Sequence, residues 1–437
     1  MTSWALSLIL ICTISFPFLI TNQYTQVMPL LLNYVCIIYV LKPFLLQINQ
    51  IKGILGGCLL VLVSSMVFQV RFDFLALSYI CAALLFALSY QFALNYSRIN
   101  SRYILILFRA TALIPFLVFA SILFDYLFPG ILDLFKSNPS LSNEFLVLRS
   151  KSGILPEPSF IGSICSLSYL FLTCQIIFNK FYPHLNLTFW HYKIFSLAFS
   201  FLAIVTSVSI SSVISSIGYF SVAFILGGEV NSILSIPSRL IANLKLNRFF
   251  FYIIVIMILS VISTVFFFSI RSASRIGYLV NMLLAGNFSL NQDESVVDRS
   301  LSTVFGLTSA FISPFGFGIN GFSAALSSCP NNFLVNVLSI DCTLAVSTRN
   351  HNLIANYLQD FGFLGFLYIV YCANLIRVTY RRIHLVIAAF LLVGLTTPNT
   401  LVSPLFWYTF AFLSFLPRIM TNSITGNTHS KSILLTS

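Results

Sequence analysis

Arg248-Phe-Phe-Phe-Tyr-Ile-Ile-Val-Ile-Met-Ile-Leu-Ser-Val-Ile-Ser-Thr-Val-Phe-Phe-Phe-Ser-Ile-Arg271 decides the class of this chain: 22 residues without a charge, held between two arginines. About 20 apolar residues in a helix cross the hydrocarbon of a bilayer, where no water can satisfy a stray backbone group. The rest of the chain repeats this pattern. Of 437 residues, 58% are apolar and 8% charged, with mean hydropathy +0.95. A soluble domain carries roughly a quarter charged residues, so the expectation is an all-α, polytopic integral membrane protein. No alternating ten-residue pattern dominates, which argues against a transmembrane barrel.

The runs predict about twelve spans, at approximately 4–20, 28–47, 52–70, 74–95, 103–128, 159–179, 189–206, 209–227, 249–270, 352–376, 383–397 and 401–420. Trp4 to Ile20 has neither a basic leader nor a small-residue cleavage site, so it reads as a retained first span. The whole chain, 1–437, is then one transmembrane domain with two long outer segments, about 129–158 and 271–350.

Net charge is +12, and its distribution sets the orientation. With both termini in the cytoplasm, 14 of the 23 Lys and Arg fall on the cytoplasmic side and eight on the outer side. That is the positive-inside bias. No nucleic-acid motif accompanies the charge, and no Cys/His spacing suits a metal. Seven of the nine cysteines lie in apolar runs and read as small core residues, whereas Cys329 and Cys342 share the long outer segment. In an oxidising compartment these two are a candidate disulfide.

The segment 271–350 opens with Arg271-Ser-Ala-Ser-Arg275, and Ile276, Leu279, Val280 and Leu283 follow at helical spacing. An amphipathic helix on the outer leaflet would present Arg271 and Arg275 on one turn. Paired guanidinium forks suit a pyrophosphate; they equally suit lipid phosphates. Asp293-Glu-Ser-Val-Val-Asp298-Arg299 reads as the start of a short helix, where Arg299 either pairs with Glu294 or Asp298 or faces an anionic ligand. The segment ends at Arg349-Asn350-His351-Asn352, at the mouth of a span. A His at a helix start stays neutral more easily, so it can take a proton from a sugar hydroxyl. The bland alternative is a polar helix cap.

In the other outer segment, Arg149-Ser-Lys151-Ser-Gly-Ile-Leu-Pro-Glu157-Pro-Ser-Phe-Ile-Gly162 sets Glu157 between two prolines, which bar a regular helix. That carboxylate orients an acceptor hydroxyl or neutralises Arg149 or Lys151. Arg109, inside the fifth span toward its cytoplasmic end, reads as a snorkelling side chain. Asp360 lies deeper, in the tenth span, and could face a central cavity. The Ser-rich stretch 206–218 reads as close helix packing.

His351-Asn352, followed by Gly362 and Gly365 in Asp-Phe-Gly-Phe-Leu-Gly, resembles the His-Asn…Gly-x-x-Gly signature of the O-antigen polymerase and ligase superfamily. Pro314-Phe-Gly-Phe-Gly318 is similar to its preceding Gly-x-Gly element, and Glu157-Pro158-Ser159-Phe160 with Gly162 to a segment of its polymerases. Arg275 and Gly286 match the Arg-x10-Gly spacing, which in the other segment starts from Lys151 instead of Arg. The resemblance implies a fold like that of the helical membrane glycosyltransferases that use polyprenyl-phosphate sugars. It implies polymerisation of undecaprenyl-pyrophosphate-linked oligosaccharide at the periplasmic face of the bacterial inner membrane, without cofactor or metal. His351 and Glu157 would then be catalytic, and Arg271, Arg275, Arg299, Arg349, Arg149 and Lys151 would hold pyrophosphate or glycan. Membrane lipid and a chain-length regulator protein are the other expected partners. The competing readings are the O-antigen ligase, which moves glycan to lipid A core, and a lipid-linked oligosaccharide flippase.

Overall fold

Runs of Leu, Ile, Phe and Ala with no interior charge favour helices, because each segment closes its own backbone hydrogen bonds. The computed structural model describes residues 48–69, 75–96, 100–128, 159–182, 190–207, 210–234, 294–319, 333–337, 353–374 and 405–416, with single positions between them. Among these, every regular element is a helix: α1 Ile48–Gln69, α2 Leu75–Leu94, α3 Ser101–Leu127, α4 Ser159–Phe181, α5 Trp190–Ser207, α6 Ile210–Leu234, α7 Glu294–Ile312, α8 Phe333–Val337, α9 Leu353–Asn374 and α10 Leu405–Leu416. The stretch 249–270 lies outside the described residues. Two helices, Ser101–Leu127 and Phe160–Phe181, are long and apolar enough to cross a membrane.

Local chemistry sets the helix ends. Asn100 caps α3, its side-chain oxygen accepting from the Arg102 N–H at 2.9 Å, which satisfies one of the helix's orphan donors. Pro115 sits inside α3 without ending it. Buried hydroxyls fold back on their own helices: Ser168, Thr173, Thr409 and Ser414 each donate to the carbonyl four residues earlier. In this way a polar atom enters an apolar core without an unmet hydrogen bond.

Contacts along the helices fix their relative directions. Arg109 meets Tyr192 and Tyr126 meets the Thr206 carbonyl, so α3 and α5 run parallel. Ser200 meets the Cys165 carbonyl and Lys193 lies over Tyr169, so α4 is antiparallel to α5. Gly162 meets Ser212 and Tyr169 meets Phe220, making α4 and α6 parallel. Gly53 and Gly57 face Tyr371 and Tyr368, which sets α1 antiparallel to α9. Phe86 packs on Phe410, and Tyr90 on Phe415, so α2 and α10 run together.

The core is one continuous apolar cluster through α1 to α6, α9 and α10. Phenylalanines are its mortar: Phe412 of α10 touches Phe92 and Tyr96 at the end of α2, and Phe171 and Phe178 of α4. Offset and edge-on rings of this kind are each worth about 0.5–1.5 kcal/mol beyond their buried area. Helix α4 is central, its polar residues Gln175 and Ser166 fully buried. The Ser-rich stretch behaves as expected: a side chain at Gly162 would strike the backbone of Ser212, so only glycine lets α4 and α6 approach this closely. Cys58, Cys165, Cys174 and Cys372 are buried free thiols.

Candidate functional site

The two motif segments named above, Pro314–Gly318 and Asp360–Gly365, meet. Sequence predicts a continuous helix through residues 352–376. Instead α9 is broken at Gly362, whose φ of 60° and ψ of −141° are not helical. A break removes the bond between the Phe363 N–H and the Gln359 carbonyl that a regular helix would make. Both orphaned groups, and the next carbonyl, find partners in the segment after α7. The Phe363 N–H donates to the Pro314 carbonyl at 2.9 Å, the Phe317 N–H to the Gln359 carbonyl at 2.7 Å, and the Gly318 N–H to the Asp360 carbonyl at 3.0 Å.

The segment is shaped for this. It leaves α7 through a turn in which the Gly316 N–H donates to the Ser313 carbonyl at 2.9 Å, with Pro314 at the second position, where its fixed φ is favoured. The Ser313 hydroxyl donates to the Gly316 carbonyl at 2.5 Å. Gly316 and Gly318 have φ of 83° and 81°, a region that side chains disfavour. A Cβ at Gly316 would strike the Asp360 carbonyl, and one at Gly362 the Pro314 carbonyl. Close backbone approach therefore explains the glycines of both motifs. Helix α7 flanks the joint, Phe311 standing edge-on to Phe363 at 5.6 Å. Its 19 residues exceed the short helix expected after Asp293.

Just before the break, α9 buries four polar side chains: Asn356, Tyr357, Gln359 and Asp360. Asp360 is only 3% exposed, and its Oδ2 accepts from the Tyr79 hydroxyl of α2 at 2.5 Å. It is thus a tie between helices, not a carboxylate facing an open cavity. The Tyr79 ring stands edge-on to Tyr357 and Phe361, with centroids 4.9 and 4.8 Å away. Asp360 consequently holds α2 through its side chain and the 314–318 segment through its carbonyl. Nothing in the sequence marks Tyr79 among its 19 tyrosines. Its role appears only when α2 and α9 are side by side.

The structure treats the expected site residues unevenly. His351, Glu157, Arg271, Arg275, Arg349, Arg149, Lys151 and Cys342 lie outside the described residues. The backbone of Arg299 lies in the first turns of α7. His351 and Asn352 directly precede Leu353, the first residue of α9. Before α4, Gly153 (φ 58°) and Leu155 are buried, and Gly153 packs tightly against the backbone of Ser121 and Ile122 on α3. That contact is about one turn before Asp125, with Asp360 the second acid within a predicted span, which is buried. Cys329 is buried and disulfide-bonded; its partner lies outside the described residues. No group of His, Cys, Asp and Glu suited to a metal occurs among the described residues.

Comparison with models of known protein families gives no match, and comparison with curated proteins gives none.

Proposed function

We propose that this protein is a membrane glycosyltransferase that joins polyprenyl-pyrophosphate-linked oligosaccharide repeat units into a surface polysaccharide at the periplasmic face of the bacterial inner membrane. About twelve spans in an architecture like that of polyprenyl-phosphate-dependent glycosyltransferases would carry the reaction. The observation that supports it best is the joint between Pro314–Gly318 and the broken α9. Two segments picked out by their likeness to polymerase motifs are bound backbone to backbone, and one of them lies on the helix that follows His351-Asn352 in the sequence.

In the proposed reaction an acceptor sugar hydroxyl attacks the anomeric carbon of the donor glycan. The bond from that carbon to the pyrophosphate oxygen breaks, and the lipid pyrophosphate leaves with the electron pair. His351 takes the hydroxyl proton, with Glu157 orienting the acceptor. Arg271, Arg275, Arg299, Arg349, Arg149 and Lys151 are the cations available to stabilise the leaving diphosphate, the largest contribution expected in such a transfer. The test is conversion of purified lipid-linked repeat units to a polymer ladder by the purified protein. Absence of any ladder from a protein that binds the substrate, or labelling of residues 271–351 from the cytoplasmic side, would overturn the proposal. A knockout separates polymerase from ligase: loss of polymerase leaves core capped with one repeat unit, loss of ligase leaves bare core.

One observation favours a lipid-linked oligosaccharide flippase: discontinuous helices with buried acids often form transport sites. Against it, the freed backbone groups at Gly362 are occupied by residues 314–318, whereas a transport site keeps them for its cargo.

A further inference from the structure

Helix α7 changes character along its length. Glu294, Asp298 and Arg299 lie in its first two turns, and no charged residue follows until Asp341. From Thr303 to Ile312 the helix is apolar. Ten residues rise about 15 Å, half the hydrocarbon thickness, so this run cannot cross a bilayer. An apolar helix of that length either packs inside the protein or enters the membrane and turns back. Packing inside the protein does not account for its end. Phe311 is 77% exposed, and Ile312 and Phe315 are exposed as well.

The neighbouring surface indicates what covers these rings. Beyond its break, α9 holds no charge, and it exposes Phe363, Phe366, Leu367 and Tyr371 at the spacing of one helix face. This stretch belongs to the run expected to span at 352–376, so that face is the one turned to lipid. Phe311 stands edge-on to Phe363 at 5.6 Å, and the end of α7 therefore continues it. The polar groups here are closed as hydrocarbon requires. The Thr308 and Ser309 hydroxyls donate to the Val304 and Gly306 carbonyls at 2.7 Å each, and the Ser313 hydroxyl to the Gly316 carbonyl. The backbone that leaves helical geometry after Ile312 pairs with the broken α9 through the Phe317, Gly318 and Phe363 amides. Non-helical chain at membrane depth persists only where protein satisfies its backbone groups, and this joint does so.

We infer that residues 303–318 form a re-entrant segment whose exposed rings are covered by lipid acyl chains. Helix α7 enters the bilayer from its charged end and turns back at 313–318 against the broken α9. The segment 271–350 is then not wholly outside the membrane. The glycines at 316, 318 and 362 gain a second purpose, since they let backbone close on backbone at a depth without water. The inference goes beyond the proposed glycosyl transfer and does not depend on it, because it requires only that the bundle sits in a bilayer.

The test is fluorescence of the full-length protein in phosphatidylcholine vesicles, with and without bromine at mid-chain. Phe311→Trp places one indole at an exposed position, and Ser295→Trp places one in the first turn of α7. The unsubstituted protein gives the emission of the three native tryptophans for subtraction. Emission from Phe311→Trp should be blue-shifted, largely lost in brominated vesicles and insensitive to acrylamide. Ser295→Trp should do the reverse, quenched by acrylamide and unchanged by bromine. Phe315→Trp, also at an exposed ring, should behave as Phe311→Trp and gives a second reading should either variant fold poorly. Acrylamide quenching of Phe311→Trp would place its ring in water, and quenching by neither agent would mean that protein covers it. Bromine quenching of both Phe311→Trp and Ser295→Trp would mean that α7 lies flat on the surface. Each of these three results would overturn the inference.

Discussion

Replacing Gly362 by alanine is the sharpest test of the joint at the broken helix. Its φ of 60° and ψ of −141° lie where essentially only glycine is found, at a strain of roughly 1–3 kcal/mol for another residue. The new methyl would also collide with the Pro314 carbonyl and the Gly316 N–H. Relieving that collision means lifting residues 314–318 away, which breaks the bonds of Phe317, Gly318 and Phe363. At a net of about 0.5–1.5 kcal/mol each, these bring the total to roughly 3–7 kcal/mol. That is comparable to the whole stability of many domains, about 5–15 kcal/mol. Gly362→Ala should therefore give little monodisperse protein by fluorescence-detected size exclusion, and what survives should melt at clearly lower temperature. Gly56→Ala is the matched control, because a Cβ there meets nothing within 4 Å and alanine favours the helix. If Gly362→Ala melts with wild type, the break is not a fixed feature and the joint does not hold the two segments.

Other expectations follow from single contacts. Tyr79→Phe removes the donor to buried Asp360 and should lower stability by about 1–3 kcal/mol, seen as a depressed thermal midpoint; Phe accepted without loss would refute the tie. Gly162→Ala should destabilise the α4–α6 seam by about 1–3 kcal/mol, because the facing group is the backbone of Ser212, which cannot rotate away. Cys329 should resist maleimide until the protein is reduced; labelling without reductant would contradict the disulfide. His351→Ala should keep the wild-type elution profile and lose roughly 10²–10⁴-fold in polymer formation, and full ladder formation by that variant would remove His351 from the chemistry.

Segments set by solvation were the legible part of the fold. The apolar runs at 74–95, 103–128 and 159–179 correspond to helices Leu75–Leu94, Ser101–Leu127 and Ser159–Phe181, the last two long and apolar enough to cross a membrane, because a long uncharged run closes its own backbone hydrogen bonds as a helix. The division between the seventh and eighth spans was readable too: α5 ends at Ser207 and α6 starts at Ile210. The break in α9 was not readable. Asp-Phe-Gly-Phe-Leu-Gly continues an apolar run, and a lone Gly inside such a run lowers helix propensity only slightly. What forces the break is a partner 44 residues earlier, Gly318, and no local pattern carries that information. Arg109 was anticipated as an interfacial side chain reaching for water, but its bond to Tyr192 depends on α5 lying alongside. Of the candidate site, the glycines were found by their likeness to a family, while the reason for them is purely geometric: backbones touch there.

The joint at Gly362 also bears on how α7 and α9 can move. Helix α7 is not an appendage tethered only by its ends; the turn that follows it is splinted into α9 by three backbone hydrogen bonds. A slip of one residue along that splint would break all three bonds, at a net of about 0.5–1.5 kcal/mol each. Displacing α7 therefore carries the kinked part of α9 with it, through bonds that join main chain to main chain.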